Sequence, residues 1–241
     1  MTRNSNRAGW PSRAKNPGSG RVATGLKTIS RPAKSRGRPR LAPAVTQARR
    51  QQILVAALAV FAQHGFEAAR LDEIAKRAKV AKGTLYLYFP DKQAMFEALV
   101  RSAAEPIVAG LSALAERRDL PMRSLLDHMF ALFREQVLGT RRKLVIRLLI
   151  AEGPRFPEIA AFYHREVLSR VMGLLKAMAQ RAHASGELDS DVLVRFPQLV
   201  AAPLLLSVIW DGLFHRLDPL DVEGLLAAHA GLLTAKRRPR R

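Results

Sequence analysis

An all-α fold is what this sequence predicts, and three observations carry the prediction. From residue 46 onward apolar residues recur at spacings of three and four, the period of one helix face. No segment shows the apolar-polar alternation of a half-buried strand worth defending. Breaks rich in Gly, Pro and Asp fall at 119–121, 139–140, 153–154, 185–186 and 217–219 and cut the chain into helix-sized lengths. The count is about nine helices. The chain has 241 residues, 48% of them hydrophobic, which is ample for a packed core. No internal repeat at a fixed period supports a solenoid.

The amino-terminal stretch, residues 1 to 44, mixes Arg, Lys, Ser, Gly and Pro with few large apolar residues and is expected to be a disordered basic arm. Within it, Arg36-Gly37-Arg38-Pro39-Arg40 resembles an AT-hook, whose arginines enter a narrow A·T minor groove. Diffuse phosphate contact by Arg38 and Arg40 is the simpler alternative. The formal net charge is +20, and no Asp or Glu precedes Glu67. That asymmetry favours a polyanionic partner, most simply nucleic acid, although an anionic membrane surface satisfies the same argument. Without cysteine there is neither a disulfide framework nor a thiolate zinc site. No apolar run of roughly 20 residues is evident, and the start lacks the apolar segment of a secretory signal. A cytoplasmic protein with no membrane segment is expected.

The elements follow in order. Ile53, Ala56, Ala57, Val60 and Phe61 form one stripe of a helix capped by Thr46 and ended by His64-Gly65. Leu71, Ile74, Ala75 and Ala78 mark a two-turn helix, and after the break Lys79-Val80-Ala81 a short helix covers Lys82 to Tyr88. Asp91 suits the cap of a helix carrying Met95, Phe96, Leu99 and Val100, which Pro106 kinks or interrupts. Further on, Pro157 suits a first helical turn and Gly186 a left-handed helix end, while Asp218-Pro219 suits a cap followed by a first-turn proline.

The run from Gly65 to Lys92, GFEAARLDEIAKRAKVAKGTLYLYFPDK, resembles the DNA-binding signature of the TetR family of bacterial regulators. The resemblance covers about residues 46 to 100, and AEGPRFPE at 151–158 looks like the ligand-binding half of AcrR and AefR type members. It implies a helix-turn-helix domain at 45–92, a helical effector-binding and dimerisation domain at 93–236, and a basic tail at 237–241. The residue pattern supports this independently: two short helices about a tight turn present the second to the major groove, which admits one helix. Leu71, Ile74, Ala75, Val80, Leu85 and Phe89 are the expected small core, leaving Lys82, Gly83, Thr84, Tyr86 and Leu87 outward. By resemblance, Lys82 and Thr84 contact bases, and Gly83 permits close approach. Tyr86, Tyr88 and Lys92 would hold phosphates.

Three positions depart from the family pattern. Ala69-Arg70 stands where hydroxyl residues usually cap the second helix, removing a cap of roughly 1 kcal/mol. Arg70 then offers a charged phosphate contact instead. Lys79 stands where glycine commonly serves the turn, at a cost on the order of 1 kcal/mol if left-handed. Ala81 similarly removes a serine-type cap from the third helix.

Residues 141 to 152, RRKLVIRLLIAE, are apolar on nearly every face after a basic start, which predicts a central, buried helix. Its Arg147 either orients a ligand or is neutralised by a structural carboxylate. With Phe130, Phe133, Phe156, Phe162 and Trp210 it is a candidate lining for an apolar effector pocket, each aromatic having core packing as its plainer role. The apolar excess at Val192 to Leu213 and near Asp221 to Ala235 marks a dimer interface, with Leu205 and Ile209 in it. The resemblance implies that the last two long helices of two subunits form a four-helix bundle.

No two-histidine metalloprotease spacing, phosphate-binding Gly-rich loop or nucleophile elbow is present, so no enzyme is expected, and no cofactor. The expected partners are double-stranded DNA, a second copy of the chain and a small-molecule effector of unknown identity. A repressor released from a palindromic operator is the leading expectation. An architectural nucleic-acid-binding protein using the basic arm is the alternative.

Overall fold

The computed structural model describes residues 43–236, so Arg38, Arg40, the AT-hook-like segment and the basic tail lie outside the described residues. Among the described residues every regular element is helical. The order is α1 (Pro43–Ala68), α2 (Leu71–Arg77), α3 (Lys82–Tyr88), α4 (Lys92–Glu116), α5 (Met122–Phe133), α6 (Lys143–Glu152), α7 (Pro157–Tyr163), α8 (Ser169–Ala184), α9 (Val192–Arg195), α10 (Gln198–Leu213) and α11 (Val222–Thr234). A π-helical turn, His164–Leu168, joins α7 to α8, and another, Arg134–Leu138, extends α5.

The expected stripe of α1 is buried: Ile53, Ala57, Val60 and Phe61 are inaccessible. The helix begins at Pro43, so Thr46 lies inside its first turn and is not the cap. It breaks where glycine permits, at Gly65 with φ 77°. Lys79 takes φ 52°, the left-handed geometry anticipated for that turn, and the Val80 N–H returns to the Ala75 carbonyl at 3.0 Å to close the end of α2. Gly186 adopts φ 78° after α8, as its position suggested. Pro157 opens α7.

Other expectations are corrected. Asp221, not Asp218, caps α11, its carboxylate accepting the Gly224 N–H at 2.9 Å. Residues after Asp218-Pro219 remain non-helical until Val222, and Asp218 instead offers its carbonyl to the Trp210 indole N–H at 2.6 Å. Helix α6 is central but only half-buried: Val145, Leu148 and Glu152 face inward while Ile150 is 46% exposed. It lies along α1 with α10 and α4 at its flanks, and these neighbours leave part of its surface open. By length and composition alone helix α4 could cross a membrane, although Glu97, Arg101 and Glu105 interrupt its apolar residues. Its apolar residues pack instead against α1, α5, α7 and α8, with Met95, Phe96, Leu99, Val100, Val108 and Leu111 buried.

Two cores result. The first joins α1 to α3 with the start of α4 and with Val145, Leu148, Ile159 and Phe162, so the core of the amino-terminal head continues across residue 92 into α6 and α7. The second is built by the end of α4, α5 and α8 to α11 around Leu126, Met129, Leu175 and Leu226. Pro203 interrupts the α10 ladder by lacking an N–H, which frees the Leu199 carbonyl. The His229 ring takes that carbonyl at 2.9 Å and so ties α11 to α10.

Candidate nucleic-acid interface and sensor region

Helix α3 has two chemically distinct sides because its short apolar spacing commits one of them to the core. Leu85 is fully buried and Phe89 nearly so, while Tyr88 is half-buried and packs on the first core. On the other side Lys82, Gly83, Tyr86 and Leu87 are exposed, Leu87 by 78%, and Thr84 is half-exposed. A Cβ on Gly83 would meet nothing within 4 Å, so the fold itself does not demand glycine there. The missing side chain lets a second molecule approach the backbone.

Lys82 pairs with Asp72 of α2 at 2.7 Å, both side chains more than half exposed. The Asp72 hydrogen bond and charge raise the Lys82 pKa, so the ammonium is fully charged at neutral pH. Arg70 occupies the α2 N-cap in extended conformation without a side-chain cap, and its side chain is exposed beside α3. Lys92 is used within the head: its ammonium donates to the carbonyls of Glu67 at 2.6 Å and Ala69 at 3.4 Å and lies 5.0 Å from the centre of the Phe66 ring. Two of its three protons are thereby engaged, leaving one for a phosphate.

The six residues considered for an effector pocket are not brought together. Phe130 is buried in the second core, whereas Phe133, at the end of α5, is half-buried. Phe162 is buried in the first core, where Phe156 packs edge-on against Phe66 at 5.1 Å between ring centres. Trp210 stacks edge-on against Phe214 at 5.1 Å. Arg147 is held by Asp211 of α10 at 2.5 Å and donates to the Val208 carbonyl at 3.3 Å, the structural-carboxylate alternative. Edge-to-face ring packing engages Phe156 and Trp210, and the ion pair engages Arg147.

Two open clefts lie elsewhere in the second half of the chain. One of about 170 Å³ is lined by Phe130, Arg134, Glu223 and Leu226. A larger one of about 440 Å³ sits where the α4–α5 turn meets the end of α8, with Arg117, Arg118, Met122, Leu125, Met178 and Arg181 on its walls. Of the residues expected to line a pocket, Phe130 alone borders the smaller cleft and none borders the larger, since clefts arise from side chains brought together across helices.

Helix α10 leaves an apolar side uncovered: Leu199, Leu205 and Leu206 are each at least 40% exposed, Ile209 is half-buried, and Leu232 of α11 is 77% exposed. A further overlooked residue is Glu152, a buried acid at the end of an otherwise apolar helix. That incongruity, and its place in the AEGPRFPE segment, were its signals in the sequence.

Comparison with known proteins agrees with this architecture. A model described as "Bacterial regulatory proteins, tetR family" matches residues 53–99. One described as "Tetracyclin repressor-like, C-terminal domain" matches residues 117–228, and together they account for more than half of the chain. The transcriptional regulator UidR of Escherichia coli K12 is 29% identical over 199 residues, covering 78% of this chain and 95% of that protein. Among solved structures, the fatty acid degradation regulator FadR from Bacillus halodurans superimposes with TM-score 0.64 at 23% identity, covering 80% of this chain and 97% of that one. FadR from Bacillus subtilis, solved with stearoyl-CoA, does so with TM-score 0.62 at 21% identity, covering 77% and 97%. At these identities the structural likeness speaks for the fold. The head, the helical body behind it and both matched halves make this chain a member of the tetR family of bacterial regulatory proteins.

Proposed function

We propose that the protein is a homodimeric repressor that reads a palindromic operator with two copies of α3 and releases it when a small molecule binds the helical body. The observation that carries the DNA-reading part is the two-sided α3, with Leu85 sunk in the core and Lys82, Gly83, Tyr86 and Leu87 presented outward. In this reading Lys82 and Thr84 reach base edges, while Arg70, Tyr86, Tyr88 and the remaining proton of Lys92 hold phosphates. Arg38 and Arg40 add contacts along the flanking backbone or minor groove.

Dimerisation is supported by the uncovered apolar side of α10 and by Leu232 of α11, more than a lone chain needs to expose. The stearoyl-CoA held by the Bacillus subtilis relative supports an effector with an apolar part. Release is then a population shift, limited by the difference between the effector's affinities for the two states. The domain limits that go with this reading are 45–92 for DNA and 93–236 for the effector and the partner copy.

Genome-wide binding-site selection with the purified protein tests the proposal. One shared inverted repeat is the expected result. Binding without sequence preference would instead favour the architectural alternative built on the basic arm.

A further inference from the structure

Helix α6 is fastened at both ends to different parts of the molecule. Near its start, Lys143 and Arg147 both reach Asp211 of α10, at 2.8 and 2.5 Å. At its last residue, Glu152 reaches the head: its Oε1 accepts the Phe66 N–H at 3.1 Å. That N–H belongs to the residue following the break in α1. Gly65 has φ 77°, and a Cβ on it would overlap Glu152 Oε1, so the break needs glycine both for its backbone and for the approach of the carboxylate. A 10-residue helix thus spans about 15 Å between the helix with the uncovered apolar side and the head.

Glu152 is a costly way of making one hydrogen bond. It is 9% exposed, and its Oε2 is buried without accepting any hydrogen bond. The nearest cation is Arg155, whose Nη1 lies 4.0 Å from Oε2 while its Nη2 pairs with Glu67 on the head side of the joint. Buried ionic groups of this kind contribute little net stability, and their best-attested use is to specify one arrangement over another. An apolar residue of similar volume would fill the site and remove the orphaned oxygen, but would leave the Phe66 N–H without this acceptor.

We propose that Glu152 is the positioning residue of a strut, α6, that holds the DNA-reading head at a fixed attitude to α10 and so sets the spacing between two heads. The inference rests on the homodimeric, two-headed reading above. Its test uses the full-length protein, without effector, and the operator obtained by site selection. Affinity is measured for that operator, for versions with one or two base pairs added or removed between half-sites, and for a single half-site.

Wild type should lose about tenfold or more for each altered spacing, because both heads can no longer engage together. Glu152→Leu should fold, shown by circular dichroism and a cooperative unfolding transition, and bind a single half-site within twofold of wild type. It should nonetheless discriminate between spacings by less than about threefold. Glu152→Gln, which keeps the acceptor oxygen, should restore the wild-type spacing preference. If Glu152→Leu does not fold, Glu152→Asp, one methylene too short for the Phe66 N–H, takes the same measurements with the same expectation. Wild-type discrimination in the folded leucine or aspartate variant overturns the proposal. So does loss of spacing preference in the glutamine variant, which would show that charge, not the hydrogen bond, acts. A wild-type protein that is monomeric or indifferent to spacing overturns the two-headed reading itself, and the strut with it.

Discussion

At the scale of single residues, the exposed side of α3 concentrates chemistry that the fold does not use. Lys82 is tied only to Asp72 across a solvated gap, an arrangement worth little in water and readily exchanged for a base edge. Alanine at Lys82 or Thr84 should therefore weaken operator binding by about 1 to 3 kcal/mol while binding to random DNA stays nearly unchanged. Parallel titrations on the two DNAs check this, and equal losses would place both residues on phosphates. Asp211 makes a prediction of another kind. Burial pushes its carboxyl up, but the Lys143 hydrogen bond and the charges of Lys143, Arg147 and His215 outweigh it and hold the group below the usual carboxylate range. A depressed native pKa contributes stability that is fully present above the unfolded value of roughly 3.9 and is lost as pH falls through the lowered one. Asp211→Asn should accordingly be less stable than wild type at neutral pH, with the difference closing below about pH 4. Urea midpoints across that range decide the point.

At the scale of elements, helix ends were legible where they rest on local backbone geometry. Lys79 and Gly186 are both left-handed as expected, because a tight turn demands that conformation whatever packs around it. Caps were less legible. Asp218 and Asp221 are both acids before apolar residues with a proline between them, and nothing local says which begins the helix. Trp210 decides it by taking the Asp218 carbonyl, which holds the chain non-helical for three residues more. Asp221→Ala should then cost about 1 kcal/mol, whereas Asp218→Ala should change stability by less than about 0.5 kcal/mol. Thermal unfolding of the two variants provides the contrast. The same limit applied to α9 and α10, which read as one apolar segment from Val192 to Leu213. The bend at Phe196-Pro197 divides them.

At the scale of the whole molecule, a charge at Leu205 or Ile209 should yield monomers with intact helicity, since the side of α10 carrying them lacks cover within one chain. Such monomers keep α3 and should bind one half-site, but lose an enhancement of roughly 100-fold or more on the full operator. Ultracentrifugation and operator titration test both halves of the prediction, and a variant that stays dimeric would move the interface elsewhere. Deleting residues 1 to 40 should lower affinity for all DNA and flatten its salt dependence without altering the preferred sequence. An altered consensus would show that Arg38 and Arg40 read the groove.

The sequence by itself determined the all-helical class, the head with its turn, and the outward set on α3, because each depends on periodicity and backbone preference within about thirty residues. Only the tertiary structure decided what the longer-range side chains do. It sent Arg147 to Asp211, 64 positions away, and Glu152 to Phe66, 86 positions away, and it divided Phe130 and Phe162 between two cores. A helical residue advertises which face it occupies but not which helix will lie against that face. Partners this distant become neighbours through packing alone, and packing is a property of all the helices at once.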